Sequence, residues 1–164
     1  MNTELVIRKI GQKDIAILVD YRLNYLAEMQ GTEAVKKVEE TRAALLDFFS
    51  KAILQQRFFA FAAEFDGVAV SFGGMVVKEI PGDFSKPTYL EGDILNMYTV
   101  PEARRKGIAQ LILKALLEEA VKLGISKVAL HTSKDGEHLY RGNGFTEPAY
   151  PYLELVLKQE NFTH

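Results

Sequence analysis

The chain has 164 residues, of which 48% are hydrophobic and 26% are charged, and its formal net charge is −2. Length and composition predict a single globular domain over residues 1–164, and the charge argues against a nucleic-acid binder held by bulk electrostatics. The lack of cysteine excludes a disulfide framework, a thiolate metal site and a cysteine nucleophile.

The sequence shows no segment typical of secretion or membrane insertion. Residues 1–6 lack a basic region followed by a long apolar run, and no apolar stretch reaches the length of about 18 residues that spans a bilayer. A chain without cysteine also suits a reducing compartment. We therefore expect a cytoplasmic protein with no membrane partner.

The chain opens with one strand pattern and two helical patterns. Residues 6–10 are a short strand candidate, and apolar residues at helical spacing predict a helix over residues 15–30. Thr32 is a plausible cap for a second helix over about residues 33–56, either continuous or with one break. Side chains of the first helix that could face a substrate, although helix aromatics are more often core, are Tyr21, Arg22, Tyr25 and Met29.

Two strands joined by a tight turn are predicted next. Residues 58–64 and 68–77 are rich in aromatic and β-branched residues, and Asp66-Gly67 between them is a strong hairpin signal. Gly73-Gly74 is a candidate bulge in the second strand. Residues 79–88 are rich in turn-forming residues and are expected to form a surface loop inside the domain.

A strand, a basic loop and a helix follow in immediate succession. Residues 94–100 are nearly all apolar, which is typical of a strand buried on both faces of a sheet, and Pro101 ends it. From Ile108 onward, apolar residues recur at helical spacing. The helix begins with small residues, so its unpaired amide groups are accessible to a phosphate group. The basic residues of the loop before it are Arg104, Arg105 and Lys106.

Two interpretations of this loop compete, a phosphate site and a plain solvated turn. Arginine suits bidentate phosphate contacts, but surface loops are often basic, and short motifs carry a false-positive risk. The loop lacks the Gly-x-x-x-x-Gly-Lys-Ser/Thr of nucleoside-triphosphate sites and the Gly-x-Gly-x-x-Gly of dinucleotide folds. A phosphate site here would therefore serve another kind of phosphate-bearing molecule.

The remaining pattern predicts an α/β domain. After Gly124, residues 127–132 form a strand that runs parallel to residues 94–100, because a helix intervenes. Residues 137–141 form a short helix, and residues 153–157 form a last strand. The predicted fold is a mixed sheet, antiparallel early and parallel at its centre, flanked by helices.

Two motifs connect the sequence to a known family. Arg104, Gly107 and Ala109 match the pattern Arg/Gln-x-x-Gly-x-Gly/Ala that follows a buried strand. Residues 139–145, Leu-Tyr-Arg-Gly-Asn-Gly-Phe, match a downstream Leu-Tyr-x-x-x-Gly-Phe. In order and spacing, the sequence resembles the GNAT superfamily of acyl-CoA-dependent N-acyltransferases, most clearly over about residues 89–146.

The resemblance implies a GNAT-like sheet whose central parallel strands splay after Val100 and Thr132 to admit the pantetheine arm of coenzyme A. It implies acetyl-CoA as cosubstrate and no metal. The backbone groups implied for pantetheine belong to Tyr98, Thr99 and Val100. The amides implied for the pyrophosphate, beside Arg104, belong to Arg105, Lys106, Gly107, Ile108 and Ala109, and Ser133 stands where relatives often carry an asparagine that touches the cofactor.

Acyl transfer from a thioester to an amine needs a proton for the departing thiolate and a base for the amine. By resemblance, Tyr140 is the candidate general acid, with local packing as its alternative role. Asp93 stands about where some relatives carry a glutamate, and Glu91 shares its face by strand alternation. Either could be the base, or both could be solvated carboxylates. Candidate substrate contacts are Asn96, on the opposite face of the pleat, and Tyr25.

Two functions follow from these residues. The first is transfer of an acetyl group from acetyl-CoA to a primary amine of a small molecule or peptide, by direct attack in a ternary complex. The second is a non-catalytic acyl-CoA-binding sensor or interaction module. The resemblance also makes a homodimer an expectation. Acidic residues expected on the acceptor side, which would favour cationic amines, are Glu79, Asp83, Glu91 and Asp93.

Overall fold

The computed structural model describes residues 4–158, which form a five-stranded sheet and four α-helices. Contacts divide the chain into two compact units, Met1–His131 and Thr132–His164. A single acyl-CoA N-acyltransferase domain over residues 1–164 stays a prediction. The elements of the first unit are β1 (Leu5–Lys9), α1 (Ile15–Gln30), α2 (Val35–Leu54), β2 (Phe58–Phe65), β3 (Val68–Pro81), β4 (Thr88–Thr99), α3 (Ile108–Lys122) and β5 (Ile125–Ala129); the second unit contains α4 (Lys134–Gly142).

The sheet has the order β1-β2-β3-β4-β5. The first three pairings are antiparallel, and β4 and β5 are parallel because α3 connects them. This arrangement confirms the predicted mixed α/β sheet, but the parallel pair lies at one edge of the described sheet and not at its centre.

The β3–β4 hairpin is longer than predicted. Residues 79–81 and residue 88, expected in a loop, belong to the strands, and Pro81 pairs with Thr88. The turn is short because Gly82 N donates to Pro87 O at 2.9 Å and Asp83 N donates to Lys86 O at 2.8 Å. The loop therefore covers only residues 82–87. β4 begins at Thr88, before the apolar run of residues 94–100 from which the strand was predicted.

The first helix ends where the sequence predicts, and the second begins later. α1 spans Ile15–Gln30, and α2 is continuous over Val35–Leu54. Thr32 is not its cap, because Ala34 occupies that position with an extended ψ of 143° and no described side chain caps the helix. The side-chain signal at Thr32 was therefore misleading.

The elements after α3 start earlier than predicted. β5 begins at Ile125 and ends at Ala129, so residues 130–132 are outside it. α4 begins at Lys134 because Ser133 is its N-cap, and the Ser133 hydroxyl accepts from Gly136 N at 3.2 Å.

The predicted strand over residues 153–157 is wrong. Residues 151–158 have no regular secondary structure. A strand needs a neighbour that pairs its backbone groups and covers one face, and an apolar pattern does not by itself supply that neighbour. The exposed apolar side chains of this segment are Tyr152, Leu153, Leu155, Val156 and Leu157.

The sheet of the first unit has apolar side chains on both faces. One face packs against α1 and α2 through a cluster that includes Leu18, Phe49 and Phe72. The other face meets α3, whose Ile112, Leu113 and Leu116 are fully buried. β4 therefore lies between two helical layers, and none of its residues is fully exposed.

Candidate active site

β4 and β5 separate partway along β4. The parallel pairing joins Leu90–Asp93 to Ile125–Ala129, and its last pair is Asp93 with Ala129. β4 continues to Thr99, and within residues 4–158 no strand pairs with residues 94–99 on the side away from β3. The strands therefore part earlier than the expected positions after Val100 and Thr132. The free backbone groups on this edge can accept another extended chain.

A β-bulge lies in the same stretch of β4. Phe72 pairs with Tyr98 and Gly74 with Leu95, so β4 has one extra residue opposite Gly73. Asn96 has a φ of 62°, in the left-handed region that asparagine tolerates better than most residues. The irregularity predicted at Gly73-Gly74 is therefore present between β3 and β4, but the extra residue belongs to β4.

The bulge reverses the side-chain alternation of β4 and corrects the placement of Asn96. Leu95 packs with the core cluster of α1 and α2. Asn96, the next residue, also faces α1, because the Arg22 Nη1 donates to its Oδ1 at 2.5 Å. Asn96 thus does not lie on the opposite face from Leu95, as strict alternation predicts, because the extra residue breaks the pleat.

Arg22 is a half-buried cation on α1. Its guanidinium lies 5.6 Å from the ring centroid of Tyr25, and burial lowers its pKa below the ordinary value. Asn96 is only 4% exposed, and its Nδ2 has no hydrogen-bond partner among residues 4–158. The predicted substrate contacts Tyr25 and Asn96 are thus joined through Arg22.

α1 also holds the end of β4. The Tyr21 hydroxyl donates to Ala69 O, and its ring lies 6.1 Å from that of Tyr98. Burial raises the pKa of Tyr98, and Glu28 adds to the effect. Tyr21, Tyr25 and Glu28 are spaced four and three residues apart, so they share one face of the helix.

Arg104 is engaged by the protein itself. Its Nε donates to Thr99 O at 2.8 Å, its Nη2 donates to Glu28 Oε2 at 2.8 Å, and its guanidinium lies 5.6 Å from the Tyr98 ring centroid. The hydrogen bond from Arg104 lowers the pKa of Glu28. Arg104 thus fixes the end of β4 while its charge is balanced by Glu28.

The loop after β4 leads into an open helix terminus. Arg105 and Gly107 have φ values of 60° and 76°, and Gly107 is the N-cap of α3. No described side chain caps α3, and no described atom lies within 4 Å of where a Gly107 Cβ would be. Arg105 and Lys106 are exposed and have no ion-pair partner in the described chain. Accessible amides, space and two uncompensated cations fit a diphosphate.

Both carboxylates predicted as bases are ion-paired. Lys78 Nζ lies 2.7 Å from Asp93 Oδ2, and Lys127 Nζ lies 3.0 Å from Glu91 Oε1. Asp93 occupies the last paired position of β4 and β5, whereas Glu91 lies inside the ladder. No sequence pattern indicated either lysine partner.

The second unit contains Ser133 and Tyr140. Ser133 caps α4, as described above. Tyr140 is 9% exposed, and its ring packs edge-on against Phe145, with centroids 5.7 Å apart and planes at 73°. Phe145 N donates to Tyr140 O at 3.1 Å. The Leu-Tyr-x-x-x-Gly-Phe motif thus forms the end of α4 and the turn after it, and its Phe145 packs against its Tyr140.

The open edge of β4 runs into the uncapped terminus of α3, and this arrangement has the geometry that suits an extended, phosphate-bearing molecule. The sequence model of the Acetyltransferase (GNAT) family matches residues 21–145. The chain therefore belongs to the GNAT family of acetyltransferases. No curated protein sequence matches the chain.

Solved structures agree with this assignment. The chain is similar to a predicted acetyltransferase from Clostridium acetobutylicum, solved with acetyl-CoA, at 29% identity and a TM-score of 0.80, over 93% of this chain and 96% of that one. A GCN5-related N-acetyltransferase from Ralstonia eutropha JMP134 has 21% identity and a TM-score of 0.74, over 93% and 99% of the two chains. Glucosamine-6-phosphate N-acetyltransferase from Arabidopsis thaliana has 16% identity and a TM-score of 0.67, over 93% and 98%.

The last two likenesses show the fold alone. Family membership and the Clostridium structure support acetyl transfer and the use of acetyl-CoA. Among residues 4–158, none of the helices combines the length and apolar character that a bilayer crossing requires.

Proposed function

We propose that the protein transfers an acetyl group from acetyl-CoA to a primary amine of a small molecule or peptide, by direct attack in a ternary complex. The observation that carries the proposal is the continuity of two binding features in the first unit. The unpaired edge of β4, residues 94–99, leads within a few residues to the uncapped terminus of α3.

The backbone of the first unit supplies the binding groups in this proposal. The backbone groups of residues 94–99 that point away from β3 pair with the amides of the pantetheine arm, as an added strand would. The expected contact through the Val100 N–H is not proposed, because that group donates to Val70 O at 2.9 Å. The amides from Arg105 to Ala109 hold the pyrophosphate, with help from the charges of Arg105 and Lys106. Arg104 acts by holding the Thr99 carbonyl, which positions the end of the strand.

Bound acetyl-CoA supplies an acetyl thioester. The amine must lose a proton to attack, and a thiolate leaves more easily when it is protonated. Tyr140 is the proposed proton donor to the sulfur. Asp93 is the better-placed candidate base, because it lies where β4 leaves β5, although its ion pair with Lys78 must be accommodated. Glu91 remains the second candidate.

The non-catalytic alternative has one observation in its favour. Both candidate bases are paired with lysine, as carboxylates with a purely structural role often are. In that function the binding loop would work, while neither Asp93 nor Tyr140 would move a proton.

Thiol release from acetyl-CoA tests the proposal. The wild-type protein is mixed with acetyl-CoA and a panel of amino acids, amino sugars, polyamines and lysine peptides, in the presence of a thiol reagent. Because the chain has no cysteine, the reagent reports only released coenzyme A. We expect release that depends on an amine, with the N-acetylated product seen by mass spectrometry. Tight acetyl-CoA binding with no amine-dependent release from pH 6 to 10 would favour the sensor.

A further inference from the structure

Arg22 stands apart from the other arginines of residues 4–158. Four of them contact carboxylates, namely Arg8, Arg42, Arg104 and Arg141. Arg57 bonds to Gln55, and both Arg57 and Arg105 are exposed. Arg22 is half-buried, and no carboxylate among the described residues lies within ion-pairing distance of it.

A partly desolvated cation without a counter-charge is unfavourable, and proteins normally pair such groups. The contacts of Arg22 are the Asn96 Oδ1 at 2.5 Å and the face of the Tyr25 ring at 5.6 Å. Neither carries a negative charge. The remaining guanidinium N–H groups are therefore available to an anion.

Asn96 presents a second unused donor at the same place. A guanidinium only donates hydrogen bonds, so the Asn96 amide must turn its oxygen to Arg22 and its Nδ2 away. That Nδ2 is buried and has no partner within the described chain. Leaving a buried amide donor unpaired costs free energy, so an acceptor that reaches it is favoured. Arg22 and the Nδ2 of Asn96 thus place hydrogen-bond donors without an acceptor next to the bulge, an arrangement that suits an oxyanion.

The position of this pair relates it to the proposed reaction. Asn96 lies in the part of β4 that has lost its β5 neighbour, two residues before Tyr98. Its side chain faces α1, which covers this end of the strand. A molecule bound against Arg22 and Asn96 would therefore lie beside the strand segment assigned to the pantetheine arm.

We propose that the amine acceptor carries an oxyanion, a carboxylate or a phosphate, that Arg22 binds together with Asn96. This inference rests on the proposed acetyl transfer to an amine. It differs from the expectation of a cationic acceptor, because three of the four acidic residues named for that acceptor have partners within the protein. Asp93 and Glu91 are balanced by lysines, and Asp83 accepts from Ser85 N at 2.8 Å within its own turn.

Matched pairs of amines test the charge preference. Alanine is compared with alaninamide, and glucosamine 6-phosphate with glucosamine, by kcat/KM at fixed acetyl-CoA. We expect the anionic member of at least one pair to be preferred by about 10- to 100-fold, as charge-assisted recognition of an oxyanion allows. The pair that shows the preference separates carboxylate from phosphate. Equal or better turnover of the neutral members of both pairs would overturn the proposal.

Variants assign the preference to Arg22. In Arg22→Gln the ratio of the two kcat/KM values should fall toward one, whereas Arg22→Lys should keep part of it because the charge remains. Arg57→Gln, which removes an exposed arginine outside the contact between α1 and β4, should keep the wild-type ratio. A purely structural role of Arg22 would lower both members of a pair equally and leave the ratio unchanged, which would also overturn the proposal. Circular dichroism melting establishes that each variant folds.

A binding measurement separates this inference from the proposed function. The side-chain Nε–H signal of Arg22 is followed by ¹⁵N NMR during titration of the wild-type protein with inorganic phosphate and with acetate. Saturable shifts that are absent for the Arg57 signal support an oxyanion site even if no amine is acetylated. If amines are acetylated but neither anion shifts the Arg22 signal and no pair shows a preference, acetyl transfer stands and the oxyanion site is wrong.

Discussion

Gly107 has a left-handed backbone position in the candidate site. Its φ of 76° lies in the region where a side chain is strained, and it begins α3 at the point where a diphosphate would contact the amides. A Cβ at this position would have no described atom within 4 Å apart from its chain neighbours. The fold should therefore tolerate a change there better than ligand binding does.

Gly107→Asp should abolish measurable coenzyme A binding, because it places a negative charge beside the diphosphate. Gly107→Asn is the matched control, since asparagine has nearly the same shape, tolerates positive φ and carries no charge. We expect Asn to bind at least ~10-fold more tightly than Asp in isothermal titration calorimetry. Equal affinities for the two variants would contradict an electrostatic role for this terminus.

Tyr140→Phe should keep acetyl-CoA affinity within a few-fold and lower turnover by roughly 10² to 10⁴, the range for a lost general acid. The substitution preserves the ring that packs on Phe145 and removes only the hydroxyl. Tyr89→Phe is the control, because the Tyr89 hydroxyl bonds to Asp83 in the hairpin turn. Wild-type turnover of Tyr140→Phe would leave the enzyme intact and reject this tyrosine as the acid.

The motif residues could be predicted from the sequence, but their partners could not. Arg104 and Gly107 are recognisable because the motif is local and each residue type has a local reason. Lys78 and Lys127, which neutralise Asp93 and Glu91, come from neighbouring strands whose register no local pattern gives. The sequence likewise does not show that Arg22 lacks a carboxylate partner, because the partners of the arginines are known only from the structure.

At the scale of elements, the β4 bulge depends on a close approach of three chain segments. A Cβ on Gly73 would clash with the Met97 sulfur and lie 2.6 Å from the Ile112 Cγ2. Met97 and Ile112 belong to the bulge and to α3, respectively. Gly73 therefore allows the bulge to form beneath the helix that carries the candidate phosphate site.

Gly73→Ala should destabilise the protein by about 1–3 kcal/mol, the usual cost of overpacking a core. Gly142→Ala is the control, because no described atom lies within 4 Å of a Cβ there and its φ is not positive. The measurement is urea unfolding of both variants. Gly73→Ala should cost less stability in a Met97→Ala background than in the wild type, and an equal cost in both backgrounds would show that contact with Met97 is not the cause.

The bulge also shows why elements are easier to predict than the side-chain directions within them. The twin glycines indicated an irregularity, yet they could not show which strand holds the extra residue. That choice decides whether Asn96 faces α1 or α3. Which strand holds the extra residue depends on the space between the sheet and its helices, and that space is known only once the sheet is packed.

At the scale of the molecule, a partly buried ion pair between Arg8 and Asp14 connects β1 to the start of α1. Asp14 is 6% exposed, and its Oδ2 accepts from Arg8 Nη1 at 2.9 Å and from Gly11 N at 2.8 Å. The hydrogen bond from Arg8 is the main cause that lowers the pKa of Asp14. A carboxyl with a lowered folded pKa stabilises the protein above its unfolded pKa, and this contribution is lost as pH falls through the folded value.

Asp14→Asn should therefore lower the free energy of unfolding by about 2 kcal/mol at neutral pH, because Arg8 and Gly11 N lose a charged hydrogen-bond acceptor. The difference from wild type should shrink below about pH 4, where an unfolded aspartate becomes protonated. Asp47→Asn removes an exposed aspartate paired with Lys51 on α2 and should change stability little at either pH. A pH-independent difference between Asp14→Asn and wild type, in urea unfolding, would reject the linkage.

The strand directions could be predicted from the sequence, whereas the structure of residues 153–157 could not. Alternation, the Asp66-Gly67 turn and an intervening helix together determine antiparallel early strands and a parallel pair. Residues 153–157 have a strand-like composition, but pairing depends on a distant neighbour that composition does not reveal.

The early separation of β4 from β5 leaves residues 94–99 of the free protein as an unpaired sheet edge. Unpaired edges invite association with other chains, and natural proteins usually protect them. Here the protecting strand would be the cosubstrate itself. Amide protons of residues 94–99 that point away from β3 should thus exchange with deuterium quickly in the free protein and slowly with coenzyme A bound, whereas amides of β2, paired on both sides, should change little. Ligand occupancy would then also govern how readily the protein aggregates during storage.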